Sequence, residues 1–319
     1  MTGAPLADLL PSWQLHLEGR LLSQNTIGLY LWTGRKFVSW LEASGLPSDA
    51  ESIEAGHVQA FLTSERERAP RGSNGKMTAE SVSVHERNLR VLFKWLAAEG
   101  ERQAPDPMTR VGKVTVPAKV KEILTGDQLR ALLKTCEGQG FEARRDTAII
   151  LILADTGVRV SGLAGLRYLP DDPHRNDVFP GRKLLRITLK GGDEHWAPVG
   201  RRTAAAIDRY IRARARHPKA RYSEHLWLGT VGRDTGHMTR WGVAAMLERR
   251  GKQAGIGKLN AHAFRRTAAH DMLEAGMSEG QVMHVAGWKT TAMLRRYTED
   301  LAAERARAAH AQKSPADRL

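Results

Sequence analysis

Five short stretches of this sequence carry residue types suited to one chemistry, the attack of a tyrosine on a phosphodiester. Asp155-Thr156-Gly157-Val158-Arg159-Val160-Ser161 places an arginine just after an apolar run and a glycine turn. Lys190 stands at the tip of a predicted hairpin, in Lys190-Gly191-Gly192. His262 and Arg265 lie three apart, on one face of a predicted helix. Trp288 ends Ala286-Gly287-Trp288, and Tyr297 follows nine residues later. A phosphodiester repels nucleophiles, and its transition state concentrates charge on two non-bridging oxygens. The forks of Arg159 and Arg265 can neutralise that charge with bidentate contacts and no metal. The Tyr297 hydroxyl, with an ordinary pKa near 10, is the nucleophile and needs a base or a positive field. His262 can move protons near neutral pH. Lys190, on a hairpin tip, can serve as acid for the leaving sugar oxygen. Trp288 can donate its indole N–H to the phosphate and pack against the nucleophile's helix. A phosphotyrosine keeps the bond energy, so resealing needs no ATP. Singly, each residue also has a plain reading: a surface cation, a turn lysine, a half-buried aromatic.

Other chemistries find no support. A Cys pair for zinc, His-Glu-x-x-His and a phosphate-binding Gly-x-x-x-x-Gly-Lys are all missing from the sequence. Gly251 to Gly257 is glycine-rich but follows a helical stretch. His270, Asp271 and His284 read as helix-surface residues. Neither a metal nor a cofactor is expected.

The elements that must position these residues are mostly helices. Apolar residues recur at spacings of three and four over Thr26–Ser44 and Ser52–Arg68, and again from Thr78 to a stop at Gly100. With an earlier helix near Leu9–Leu22, these make a four-helix-type domain over residues 1–111. Its Trp13, Trp32, Trp40 and Trp95 are expected in the core. Gln103 to Lys121, with three prolines and no period, reads as an extended linker, and residues 112–121 are assigned as the link between the domains. A second domain, 122–300, is predicted as mixed α/β. Helices are expected at Thr125–Cys136 (Thr125 as N-cap), Arg145–Asp155, Arg202–Arg216, Trp241–Ala254, Ala261–Ala275, Ser278–Ala286 and Thr291–Tyr297. Leu184–Leu189 and His195–Val199 flank the glycine turn as a small antiparallel hairpin. Residues 301–319 form a tail, with Leu301–Gln312 read as an amphipathic helix.

Charge sharpens the division. The 319 residues carry a net charge of +14. Residues 1–111 hold 12 basic and 13 acidic side chains; the remainder holds 37 and 22. The excess therefore sits wholly beyond residue 111, with the candidate chemistry, and implies a polyanionic partner. Arg outnumbers Lys 35 to 14, which suits phosphate forks and equally a GC-rich genome. One Cys excludes a disulfide framework and fits a reducing compartment. Apolar runs fall well short of the roughly 18 residues a membrane span needs, and the N-terminus lacks a secretory pattern, so a cytoplasmic protein is expected.

The ordered set Arg159, Lys190, His262-x-x-Arg265, Trp288, Tyr297 resembles the tyrosine recombinase (phage integrase) family, well over residues 120–300 and more loosely over the helical first part. Arg159 matches the family's first arginine in Thr-Gly-x-Arg-x-Ser, Lys190 the hairpin lysine, and Tyr297 the nucleophile. Trp288 stands where most members have His and some have Trp. Trp only donates, so His262 and Lys190 would carry all proton transfer. An acidic residue is common three positions after the first arginine; here it is Gly162, which bears on catalytic vigour more than on fold. The resemblance implies a mainly α protein, with a core-binding domain before the catalytic one. It implies a site-specific recombinase acting through a 3′-phosphotyrosine in integration, excision or resolution. Its partners would be double-stranded DNA, three further copies of the chain on two DNA sites, and accessory DNA-bending factors; it would be nucleoid-associated when bound. The tail helix would be exchanged between protomers. Few residues precede the first helix, so an extra arm-binding domain is not expected and a Xer-like or mobile-element enzyme is. A degenerate DNA-binding protein of this fold, a type IB topoisomerase and a helical RNA-binding protein are the alternatives.

Overall fold

A computed structural model describes residues 3–68, 75–117, 123–189, 192–230, 236–298 and 302–318, without the side chains of 296, 297, 303–305, 308 and 318. Lys190 and the side chain of Tyr297 thus lie outside the described residues. The chain divides into two compact units, Met1–Lys119 and Val120–Leu319.

In the first unit the apolar stripes fold as four helices: α1 (Leu6–Gly19), α2 (Gln24–Ala43), α3 (Ala55–Glu67) and α4 (Ala79–Ala98). Ser23 and Thr78 start α2 and α4 by accepting from Thr26 N and Ser81 N, each at 3.3 Å. Leu31, Phe37, Leu41, Phe61, Leu89 and Phe93 meet in the core. Trp13 and Trp95 join them, but Trp32 does not: it is 48% exposed. It follows Leu31, and one residue turns a helix by about 100°, off the buried stripe. Its ring instead covers His85 at 4.8 Å between centroids.

The segment expected as an extended linker is folded in its first half. Met108 and Val111 are buried in this unit's core. Pro107–Thr109 forms a single 3-10 turn, started by Asp106 accepting from Met108 N at 2.9 Å. Arg90 Nη1 donates to Met108 O at 3.0 Å. The prolines shape a turn here and not a spacer. Residues 118–122 lie outside the description.

The second unit is mainly α with a small sheet, as the periodicities predict. Its helices are α5 (Gly126–Lys134), α6 (Phe141–Thr156), α7 (Val160–Gly165), α8 (Arg201–Ala215), α9 (Arg240–Gln253), α10 (Ala261–Glu274), α11 (Glu279–Ala286), α12 (Thr291–Thr298) and α13 (Ala302–Lys313). Thr125 caps α5 with Gln128 in a reciprocal box. The apolar α6 is the central rod, with Ile149, Ile150, Ile152 and Leu153 buried. Strands β1 (Val178–Phe179), β2 (Leu184–Thr188) and β3 (Glu194–Pro198) pair antiparallel in that order, with Ile187 opposite His195. The short α7 and β1 are not predicted, because six and two residues show no period. α7 is held in place by buried Trp227, whose Nε1 donates to Leu163 O at 2.8 Å. The tail helix α13 departs from its predicted amphipathic character: its described side chains are all exposed, and alanine is its only apolar residue.

Candidate active site

Gly157 ends α6 with φ +59. That left-handed turn is open to glycine, and a Cβ there would sit 3.2 Å from Ala268 Cβ. The reversal brings Arg159 out as the extended residue before α7, half-buried. Among the described residues no group pairs with its guanidinium. Arg159 lines a cleft with Ser161, Gly162, Thr188, Leu189 and Arg265.

Arg265 comes from α10, which Asn260 caps by accepting from Ala263 N at 3.1 Å. Thr267 on the same helix accepts from Leu124 N at 2.8 Å. Arg265 is 2% exposed. Its Nη1 donates to Gly157 O at 2.5 Å and to Ala286 O at 3.4 Å. Its guanidinium lies 4.6 Å from the centre of the Trp288 ring, in cation–π contact. The buried cation is thus anchored by carbonyls of the two turns that precede Arg159 and Trp288. His262 is exposed in the first turn of α10.

Trp288 is buried and packs with Ala269, Val282, Ala286 and Leu294. Leu294 belongs to α12, so this aromatic does pack against the helix that bears Tyr297 in its last turn. Thr298 Oγ1 donates back to Leu294 O at 3.1 Å. Around Lys190 the described hairpin ends are closed: Leu189 N donates to Asp193 O at 2.7 Å, and Gly192 N to Leu189 O at 3.1 Å. The structure therefore brings Arg159, Arg265 and Trp288 together and sets His262 one turn from Arg265. Of the surface histidines expected on helices, His284 is exposed and His270 is half-buried beside Glu274.

Gly162 has a steric basis. A Cβ there would fall 2.6 Å from Ile187 Cγ2, and Ile187 is buried on β2. The acidic residue common at this place in the family would bring a Cβ that has no room unless the Ile187 side chain shifts.

Sequence reasoning missed His195 and Asp193. His195, on β3, has Nε2 3.0 Å from Val285 O. Burial holds its pKa below the ordinary histidine value, and His284 and Arg265 lower it further, against the raising effect of the Val285 carbonyl. Asp193 pairs with Lys289. Both links join residues about ninety positions apart, and no local spacing signals them. Among the described residues no three His, Cys, Asp or Glu side chains are grouped to hold a metal.

The description "Phage integrase family" matches residues 122–304, more than half the chain. The chain belongs to the phage integrase family. It is similar along most of its length to tyrosine recombinase XerD of Corynebacterium glutamicum, 28% identical over 298 residues, 91% of this chain and 92% of that protein. Tyrosine recombinase XerD of Listeria monocytogenes is likewise 28% identical, over 88% and 89%. Its fold is that of the lambda integrase dimer bound to a COC′ core site, with TM-score 0.70 at 18% identity over 94% of this chain and 79% of that one. XerH bound to a difH substrate matches with TM-score 0.69 at 17% identity, over 92% and 82%. The function is accordingly that of a site-specific recombinase of the tyrosine class, which breaks and rejoins DNA; the degenerate and topoisomerase readings are not favoured.

Proposed function

We propose that Tyr297 attacks a phosphodiester of duplex DNA held between Arg159 and Arg265. The tyrosine oxygen forms a bond to phosphorus, the 5′-oxygen of the next nucleotide leaves, and a 3′-phosphotyrosine results. His262 takes the tyrosine proton and Lys190 protonates the leaving oxygen. Attack by a 5′-hydroxyl from a second strand reverses the sequence and joins the new partner. Residues 1–111 bind DNA and residues 122–300 carry the catalysis, with 112–121 as linker. Four protomers act on two sites, with accessory DNA-bending factors, and the tail of residues 301–319 is exchanged between neighbours. The exposed side chains of α13 fit a helix that packs on another copy. The protein works in the cytoplasm, on the nucleoid. The lambda integrase dimer bound to a core site and XerH bound to a difH substrate support the DNA partner and the association of copies by likeness of fold.

One observation carries this reading. Arg159 is half-buried, unpaired by any described group, and shares its cleft with the anchored Arg265. A guanidinium left so asks for an anion, and a phosphate matches its fork. The test uses a nicked suicide duplex carrying the site that the full-length protein selects from a randomised DNA pool. Wild type should accumulate covalent protein–DNA. Tyr297→Phe should bind equally and form none, and Arg159→Lys should lose most activity, because a point charge cannot reproduce the bidentate geometry. A covalent adduct persisting in Tyr297→Phe would sink the assignment.

A further inference from the structure

A helix end leaves its last four carbonyls without intrahelical donors. At the end of α11 all four are bonded. Trp288 N donates to Met283 O at 2.9 Å and Gly287 N to His284 O at 3.4 Å, the paired bonds of a helix closed by a left-handed glycine. Side chains from other elements meet the remaining two. Arg265 Nη1 donates to Ala286 O, and His195 approaches Val285 O. A carbonyl only accepts, so Nε2 of His195 carries the proton. The imidazole also sits close against the turn: a Cβ on Gly287 would fall 2.8 Å from His195 Cδ2. Two residues before His195, Asp193 pairs with Lys289, the residue after Trp288. The hairpin thus grips the Ala286–Lys289 turn at two points, while Arg265 holds it from α10.

We infer that His195 is a positioning residue for strand cleavage. It holds the Ala286-Gly287-Trp288 turn against β3, so that Trp288 stays seated on the Arg265 guanidinium. The inference rests on the functional reading above. Without the imidazole, Val285 O loses its donor and the turn loses the ring that fills the space above Gly287. Trp288 then drifts off the Arg265 guanidinium beside the scissile phosphate, and small displacements at a reacting centre cost rate steeply.

The experiment follows single-turnover covalent complex formation by the full-length protein on the selected suicide duplex. His195→Ala should slow cleavage about tenfold with DNA affinity unchanged. His195→Gln should recover to within about threefold of wild type, because its amide N–H can donate to Val285 O. In a Trp288→Ala background, His195→Ala should add nothing, since it acts through Trp288. Three results overturn the inference: wild-type rate in His195→Ala, a His195→Gln variant as slow as His195→Ala, or the full loss retained in the Trp288→Ala background. Tyr297→Phe is the control for the functional reading. Adduct from that variant, or none from wild type, overturns that reading and this inference with it; wild-type cleavage equalled by His195→Ala overturns the inference alone.

Discussion

Gly162→Glu restores the acidic residue common in the family, yet it should damage this protein. The perturbing atom is the Cβ. At 2.6 Å from Ile187 Cγ2 it lies well inside the 3.4–4 Å of ordinary contact. Ile187 is buried on β2 and cannot swing aside like a flexible chain end. Overpacking of this kind costs about 1–3 kcal/mol. Replacing a glycine within α7 gains up to about 1 kcal/mol of helix propensity, which offsets part of the cost. A net loss of about 1–2 kcal/mol should lower the melting temperature of the second unit by roughly 2–8 °C. Gly162→Ala should lose a similar amount, because it brings the same Cβ. Ile187→Leu removes the offending methyl at nearly constant volume, so the Gly162→Glu/Ile187→Leu pair should be more stable than the sum of its single effects. Differential scanning calorimetry of the full chain reads the melting temperature, and the suicide duplex reads cleavage. A Gly162→Ala protein as stable as wild type would refute the steric argument, as would equal destabilisation with and without Ile187→Leu.

Two further outcomes follow from buried charge. His85 packs among Thr33, Glu65 and the Trp32 ring, and burial first, then the Lys36 charge, depresses its pKa to about 4. The unfolded chain, with histidine near 6.5, binds more protons between those values. Stability contributed above pH 6.5 is therefore lost as pH falls toward 4, by up to roughly 3 kcal/mol. Urea titrations of wild type and His85→Gln should diverge in pH slope over that window; parallel slopes would remove the assignment. Asp146 is fully buried and accepts from Arg145, Arg249 and Arg250, with Nη2 of Arg145 and of Arg250 each at 2.8 Å. Asp146→Ala strands the buried Arg145 charge and should cost about 3–5 kcal/mol in a urea titration; a loss under about 1 kcal/mol would contradict that account.

Much of this protein is legible along the chain. Four amphipathic stripes become α1–α4, Thr125 does cap α5, and the two stretches expected as a hairpin do pair as antiparallel strands. Each depends on residues within a few positions of one another, so a period or a cap reports them. Trp32 shows where composition misleads: aromatic content suggests core, but its angular place beside Leu31 puts it outside. The prolines of residues 103–111 mislead similarly. They break regular structure, but only the buried Met108 and Val111 decide whether the irregular chain packs or extends.

The same division runs through the site. Residue types and order alone single out Arg159, Lys190, His262, Arg265, Trp288 and Tyr297, because phosphoryl chemistry restricts which side chains can serve. How two arginines in one cleft come to differ is settled by the fold. Arg265 is buried and spends Nη1 on Gly157 O and Ala286 O, whereas Arg159, just past the glycine turn, has no partner among the described residues. That asymmetry, the crowding of Gly162 by Ile187, and the hold of His195 on the α11 turn arise between segments distant in sequence. Packing brings those segments within a few ångströms, and a linear pattern contains no term for such contacts.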